Sequence, residues 1–122
     1  MKLLIVDDSS VMRRTIEKNL NNYNLEIIGT ASSGEEALEL VKEKEPDVVT
    51  LDITMPGMDG IECLENIMAT RPQTKVMIIT ALSDKLTGLK ALDIGGRGFV
   101  YKPVNSEDLK KAFDKLLKRN DS

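Results

Sequence analysis

Asp7 and Asp8 follow the apolar run Leu3-Leu4-Ile5-Val6, and Asp52 follows Val48-Val49-Thr50-Leu51. Thr80 follows Val76-Met77-Ile78-Ile79, and Lys102 follows Phe99-Val100-Tyr101. Each run has strand length and is rich in β-branched or aromatic residues. The near-continuous apolar runs are what a parallel sheet covered on both faces requires. Open α/β sheets bind their ligands outside the carboxyl ends of their strands. Parallel strands share that edge, so three carboxylates, a hydroxyl and an ammonium would meet there.

Crowded carboxylates raise one another's pKa values unless a cation intervenes, and Mg²⁺ holds them ionised. Mg²⁺ takes octahedral oxygen ligands and keeps several waters, so one or two carboxylates and a backbone carbonyl suit it. An ionised Asp52 beside the ion is a nucleophile able to form an aspartyl-phosphate. Lys102 and Thr80 can donate to phosphoryl oxygens, and positioning with charge neutralisation is most of phosphoryl-transfer catalysis. Taken singly the same residues have plainer readings. Asp52 or Asp8 can cap a helix, Lys102 can be a solvated charge, and Thr80 can be an ordinary strand residue. The case for a site rests on their coincidence along one edge.

Composition narrows the chemistry further. The 122 residues include no histidine, which excludes Ser-His-Asp and Cys-His catalysis. One cysteine, Cys63, argues against a structural zinc site and makes no intrachain disulfide. The length suits one domain with a real core, and 41% hydrophobic with 30% charged residues is ordinary for a globular chain. A net charge of -3 argues against non-specific nucleic-acid binding. No apolar run approaches the ~20 residues of a membrane span. Met1-Lys2 leads straight into a strand-like run rather than a signal peptide. A reducing cytoplasm is the expected location.

The segments between the strands read as helices. Ser9 or Asp8 opens the first, with Val11, Met12, Ile16 and Leu20 on one side and Arg13, Arg14, Glu17 and Lys18 outward. Asn21-Asn22 and Asn24 stop it, and a second strand runs from Leu25 to Ala31. Ser33-Gly34-Glu35-Glu36 has the capping-box form ahead of Ala37, Leu38 and Val41. After the Pro56–Gly60 loop, Ile61, Leu64, Ile67 and Met68 share helical spacing. A weaker helix spans about Ser83 to Ile94, and Asn105 or Ser106 caps the last, with Leu109, Ala112, Phe113, Leu116 and Leu117 on one stripe. Five strands alternating with five helices predict a doubly wound (βα)5 fold with a parallel sheet.

Together, Asp7-Asp8, Asp52 followed by Met55-Pro56-Gly57-Met58-Asp59-Gly60, Thr80-Ala81 and Lys102-Pro103 resemble a response-regulator receiver domain. The resemblance is to the stand-alone chemotaxis (CheY-like) kind and covers residues 2 to about 119. It implies a flavodoxin-like three-layer α/β sandwich of strand order 2-1-3-4-5, an order taken from the family. It implies that Asp52 accepts a phosphoryl group from the phosphohistidine of a histidine kinase. It implies one Mg²⁺, replaceable by Mn²⁺, held directly by Asp8, Asp52 and the Thr54 carbonyl and by Asp7 through water. Thr80 and Phe99 match the family's switch pair, and the Ala81 backbone would contact the phosphoryl group. Thr54 and Leu82 would flank the attacking water and tune the lifetime of the phosphoryl group. Lys102 precedes a proline whose peptide bond is cis in the family. Phe99 stands where chemotaxis members often carry Tyr, and Gly96 where alanine is usual, which is expected to loosen the chain before the fifth strand.

The resemblance further implies a single receiver domain over residues 1–122 without an output domain, monomeric when unphosphorylated. Its signal would leave through the fourth helix, fifth strand and fifth helix to a protein such as a flagellar motor switch, with no nucleic-acid or membrane partner. It would be no enzyme beyond assisting its own phosphotransfer and autodephosphorylation. The fourth helix is expected to be the mobile element. Gly88 interrupts it, Gly95-Gly96 would free its far end, and Leu86, Leu89, Leu92 and Ile94 do not fit one face. Three alternatives compete. A haloacid-dehalogenase-type phosphatase needs a second Asp where Thr54 stands, and an FMN or nucleotide binder needs a phosphate loop that these acidic loops lack. A receiver-like scaffold that is never phosphorylated has no need of the constellation.

Overall fold

The structure, a computed structural model, describes residues 1–20, 23–55, 59–81 and 85–118. The expected helix stop at Asn21-Asn22, the loop residues Pro56, Gly57 and Met58, the helix start at Ser83, and Leu82 lie outside the described residues, as does the C-terminal tail from Arg119. Strands β1 (Lys2–Val6), β2 (Glu26–Ala31), β3 (Val48–Asp52), β4 (Lys75–Ala81) and β5 (Gly98–Lys102) alternate with helices α1 (Ser10–Asn19), α2 (Gly34–Lys44), α3 (Gly60–Thr70), α4 (Lys85–Ile94) and α5 (Ser106–Lys118). All strand pairs are parallel, in the order β2-β1-β3-β4-β5.

Side chains on a strand alternate between faces, and each face builds its own core. Leu4, Val6, Val49, Leu51, Val76 and Ile78 pack with Ala37, Val41, Cys63, Leu64, Ile67 and Ala91 of α2, α3 and α4. Leu3, Ile5, Val48, Met77 and Ile79 pack with Ile16, Leu20, Leu109, Phe113 and Leu116 of α1 and α5. Burial on both faces explains why the strands read as continuous apolar runs. Among the described residues no helix is long and apolar enough to cross a membrane.

Capping follows the sequence closely. The hydroxyl of Ser9 accepts from the Met12 amide at 3.2 Å, and that of Ser33 accepts from Glu36 at 3.2 Å. The Glu36 carboxylate reaches back to the Ser32 amide at 2.8 Å, one residue earlier than the standard box. Asn105, not Ser106, caps α5, accepting from the Asp108 amide at 2.8 Å.

Three expectations change. Val11 is 74% exposed rather than inward. Met12, Ile16 and Leu20 recur every four residues, whereas Val11 lies about 140° around the helix from Ile16. Arg13 is half-buried, not outward, and turns back toward β1. The glycines after α4 tighten that junction instead of loosening it. Gly95 has φ +145°, and a Cβ there would stand 2.6 Å from the Met68 sulfur. A Cβ on buried Gly96 would stand 3.0 Å from Ile78 and 3.1 Å from the Ala91 carbonyl oxygen. The amides of both glycines bond to that same carbonyl, at 3.2 and 2.9 Å. Glycine is therefore what lets α4 end pressed onto α3 and β4. The expected exposure on α4 does occur: Leu86 is 82% and Leu89 53% exposed, while Gly88 and Ala91 are its buried residues.

Candidate functional site

β1, β3, β4 and β5 deliver Asp7, Asp8, Asp52, Thr80 and Lys102 to one edge of the sheet, as their positions at the strand ends require. One carboxylate oxygen from each of Asp7, Asp8 and Asp52 lies within 4.8 Å of the others. Asp7, Asp52 and Thr80 are wholly buried, while Asp8 is exposed. The three acids therefore form a wall with one solvent-facing member.

Both oxygens of Asp52 are occupied. Oδ2 accepts from the Lys102 ammonium at 2.7 Å, a contact that crosses β4 to link the ends of β3 and β5. The cis Lys102–Pro103 bond follows immediately. Oδ1 accepts twice from Thr54, from its amide at 2.8 Å and its hydroxyl at 2.6 Å. The resemblance assigned Thr54 its carbonyl and a place beside the attacking water; the hydroxyl bond to Asp52 is an addition. A threonine two residues past an acid can form such a turn, and that is the signal the sequence offered.

Asp7 is held on three sides. Its amide donates to the Ala31 carbonyl at 2.9 Å, its Oδ1 accepts from the Ser9 amide at 2.9 Å, and its carbonyl accepts from Arg13 at 2.6 Å. Its Oδ2 is buried without a partner among the described residues. Burial pushes the Asp7 carboxyl up to about 6, and the neighbouring Asp52 charge adds to this; the Ser9 amide and Lys102 oppose it. A buried carboxylate oxygen without a donor, set among two more carboxylates, suits a hard divalent cation with oxygen ligands. The donor set is all oxygen, which favours Mg²⁺ or Mn²⁺ over softer metals.

The Thr80 hydroxyl is likewise buried without a partner among the described residues. Its methyl lies against α4: a Cβ on Gly88 would stand 3.5 Å from Thr80 Cγ2 and 3.9 Å from the Phe99 ring. Gly88 thus sits against both members of the expected switch pair, which sequence reading had not linked to it. Phe99 is half-buried and stacks edge-on against Tyr101, ring centroids 5.1 Å apart. Ala81 ends β4 beside Lys102 of β5, its register partner.

The profile of the response regulator receiver domain matches residues 3–114. The chain is 39% identical over 118 residues to a chemotaxis protein CheY of Listeria monocytogenes, an alignment covering 97% of this chain and 99% of that one. It is 41% identical over 124 residues to a protein-glutamate methylesterase/protein-glutamine glutaminase of Methanococcus maripaludis, covering 98% of this chain but 34% of the larger protein. Among solved structures, the CheX-CheY-BeF3-Mg complex of Borrelia burgdorferi includes a chain 35% identical to this one, with a TM-score of 0.85 over 98% of this chain and 89% of that one.

Proposed function

The chain belongs to the response regulator receiver family, and from that premise we propose that Asp52 accepts a phosphoryl group from the phosphohistidine of a histidine kinase. The observation that carries the proposal is the meeting of Asp7, Asp8 and Asp52 within 4.8 Å while Lys102 holds Asp52 at 2.7 Å. In the transfer, an Asp52 carboxylate oxygen forms a bond to phosphorus as the phosphorus–nitrogen bond to the donor imidazole breaks. Lys102 pairs with Asp52 until then and afterwards donates to a phosphoryl oxygen. Thr80, whose hydroxyl has no partner among the described residues, supplies a further donor, and the Ala81 amide another. Thr54 must release Oδ1 for that oxygen to take any other partner, so Thr54 tunes the rate of gain and loss of the phosphoryl group, and the resemblance extends that role to Leu82.

Asp8, Asp52 and the Thr54 carbonyl would hold Mg²⁺, with Asp7 acting through water. Bound there, the ion offsets the negative charge of the incoming phosphoryl group. The chain's own contribution is to keep its acids converged and its lysine in reach. Phosphorylation draws Thr80 inward, Phe99 takes the space released, and the face of α4, β5 and α5 changes its binding to a protein partner. Near full-length similarity to chemotaxis CheY proteins supports a chemotaxis pathway.

Labelling with acetyl phosphate and Mg²⁺ tests the assignment. Wild type should incorporate one phosphoryl group, and Asp52→Asn none. Undiminished, Mg²⁺-dependent labelling of Asp52→Asn at another residue would overturn it.

A further inference from the structure

A charge that ought to pair with the acids does not. Arg13 lies one turn into α1, half-buried, next to a site containing three carboxylates. Among the described residues its guanidinium forms no ion pair with any of them. Instead its Nη1 donates to the backbone carbonyl of Asp7 at 2.6 Å. That short, charge-assisted bond is stronger than a neutral one.

The carbonyl of Asp7 and the amide of Asp8 belong to one planar peptide unit. Holding the oxygen restrains the plane, and with it the position of the Asp8 Cα from which the carboxylate projects. Asp8 has no other side-chain tether among the hydrogen bonds of the described residues, and it is the exposed member of the cluster. The rest of the corner is already built: Asp7 is held by Ala31 and Ser9, and Ser9 caps α1 through Met12. Arg13 completes it from the helix side.

We propose that Arg13 is a positioning residue of the cation site, acting through its bond to the Asp7–Asp8 peptide and so on the aim of the Asp8 carboxylate. This rests on the reading of the site as a Mg²⁺ site given above.

Two physical effects of removing Arg13 have opposite signs. By charge alone, losing a cation beside three carboxylates tightens the binding of Mg²⁺. By positioning, losing the bond leaves Asp8 free to turn and weakens it; outer-shell partners of metal ligands are typically worth tenfold or more in affinity. Mg²⁺ titration by calorimetry on Arg13→Met and Arg13→Lys reads the sign. Arg13→Met should bind Mg²⁺ about tenfold more weakly than wild type. Arg13→Lys keeps the charge but has a stem one bond shorter and no planar fork, so with the charge effect removed it should also bind more weakly than wild type. Acetyl phosphate labelling should follow: slowed at low Mg²⁺ and restored toward wild type at saturating Mg²⁺. A purely structural role would not give that recovery. Melting in EDTA establishes that each variant is folded, and should Arg13→Met not fold, Arg13→Lys carries the comparison. Equal or tighter Mg²⁺ binding by a folded variant overturns the role of Arg13 alone. Wild type that takes up no Mg²⁺ overturns the site reading itself, and this inference with it.

Discussion

The two ends of the sheet treat their polar groups in opposite ways. At the amino end the carbonyl of Pro46 accepts both the Arg71 Nε and the Thr74 hydroxyl, each at 3.0 Å. Asp47 accepts the Lys2 amide at 2.8 Å through Oδ2, donates its own amide to the Lys2 carbonyl, and receives Lys75 on its carbonyl. At the carboxyl end, buried oxygens of Asp7 and Thr80 have no partner among the described residues, and burial pushes Asp7 up to about 6. Leaving a buried polar group unpaired costs about 1–3 kcal/mol. The amino end pairs these polar groups, and the carboxyl end leaves two buried oxygens open to a ligand.

The largest expected effect of that difference is at Asp7. Its carboxyl rises from 3.8 to about 6 in the folded protein. The folded state therefore binds this proton more tightly than the unfolded chain does. Stability from this group is full below about 4 and is lost as pH rises to about 6. In EDTA, denaturant unfolding should show that decline, and Asp7→Asn should remove it. At pH 7 Asp7→Asn should be more stable than wild type by up to about 3 kcal/mol, since its amide can donate from the place of the orphaned Oδ2 and carries no charge. Mg²⁺ should narrow the gap by stabilising wild type. A pH-independent wild type would remove the distinction at this position.

Next, Arg71→Ala at the amino end should cost about 1.5–3 kcal/mol in denaturant unfolding, the range for a hydrogen bond to a charged group. Its ion pairs with Glu45 and Asp47, at 4.0 and 3.9 Å with partly exposed partners, add little. The loss should therefore persist in high salt. A loss abolished by salt would mean that the pairs, not the bond to Pro46, hold this end together.

The smallest effect is the sharpest comparison, because one substitution is made at both ends of β4. Thr74→Val removes a satisfied hydroxyl and should destabilise by about 1 kcal/mol. Thr80→Val removes an orphan and should leave the metal-free protein equally stable or stabilise it by up to about 1 kcal/mol. Equal losses at both positions would show that the Thr80 hydroxyl has a partner in solution.

Much of the site was legible because strand ends are legible. A buried strand reads as an apolar run, and a parallel sheet aligns such ends without further information, so Asp7, Asp52, Thr80 and Lys102 could be brought together on paper. What stayed hidden depends on rotation and reach. The helical stripe of α1 does not say that Val11 lies off it, nor that Arg13 bends back to the Asp7 carbonyl. A periodicity assigns arginine to solvent whether or not a carbonyl lies nearby. The amino-end network had no signal at all, because Arg71 and Thr74 meet a backbone oxygen of Pro46 far away in sequence. Gly96 was misread because a glycine in isolation suggests freedom, while here Ile78 and the Ala91 carbonyl fill the space a side chain would need.

That last junction gives α4 the geometry of a lever whose heel is the Gly95-Gly96 end. At Gly95 and Gly96 the chain closes the last turn of α4 on its own Ala91 carbonyl and passes close to Met68 and Ile78, while the body rests on the small residues Gly88 and Ala91. At 1.5 Å per residue, Leu86 stands roughly 13 Å from the heel. A tilt of about 10° about that pivot would carry Leu86 roughly 2 Å while the heel stays in place. Gly88, against Thr80 and Phe99, lies between the two, where a small displacement is magnified toward the tip. Leu86 and Leu89, two of the four apolar residues of α4 that do not share one face, are the exposed ones, and Leu86, beyond Gly88, has the longer arm.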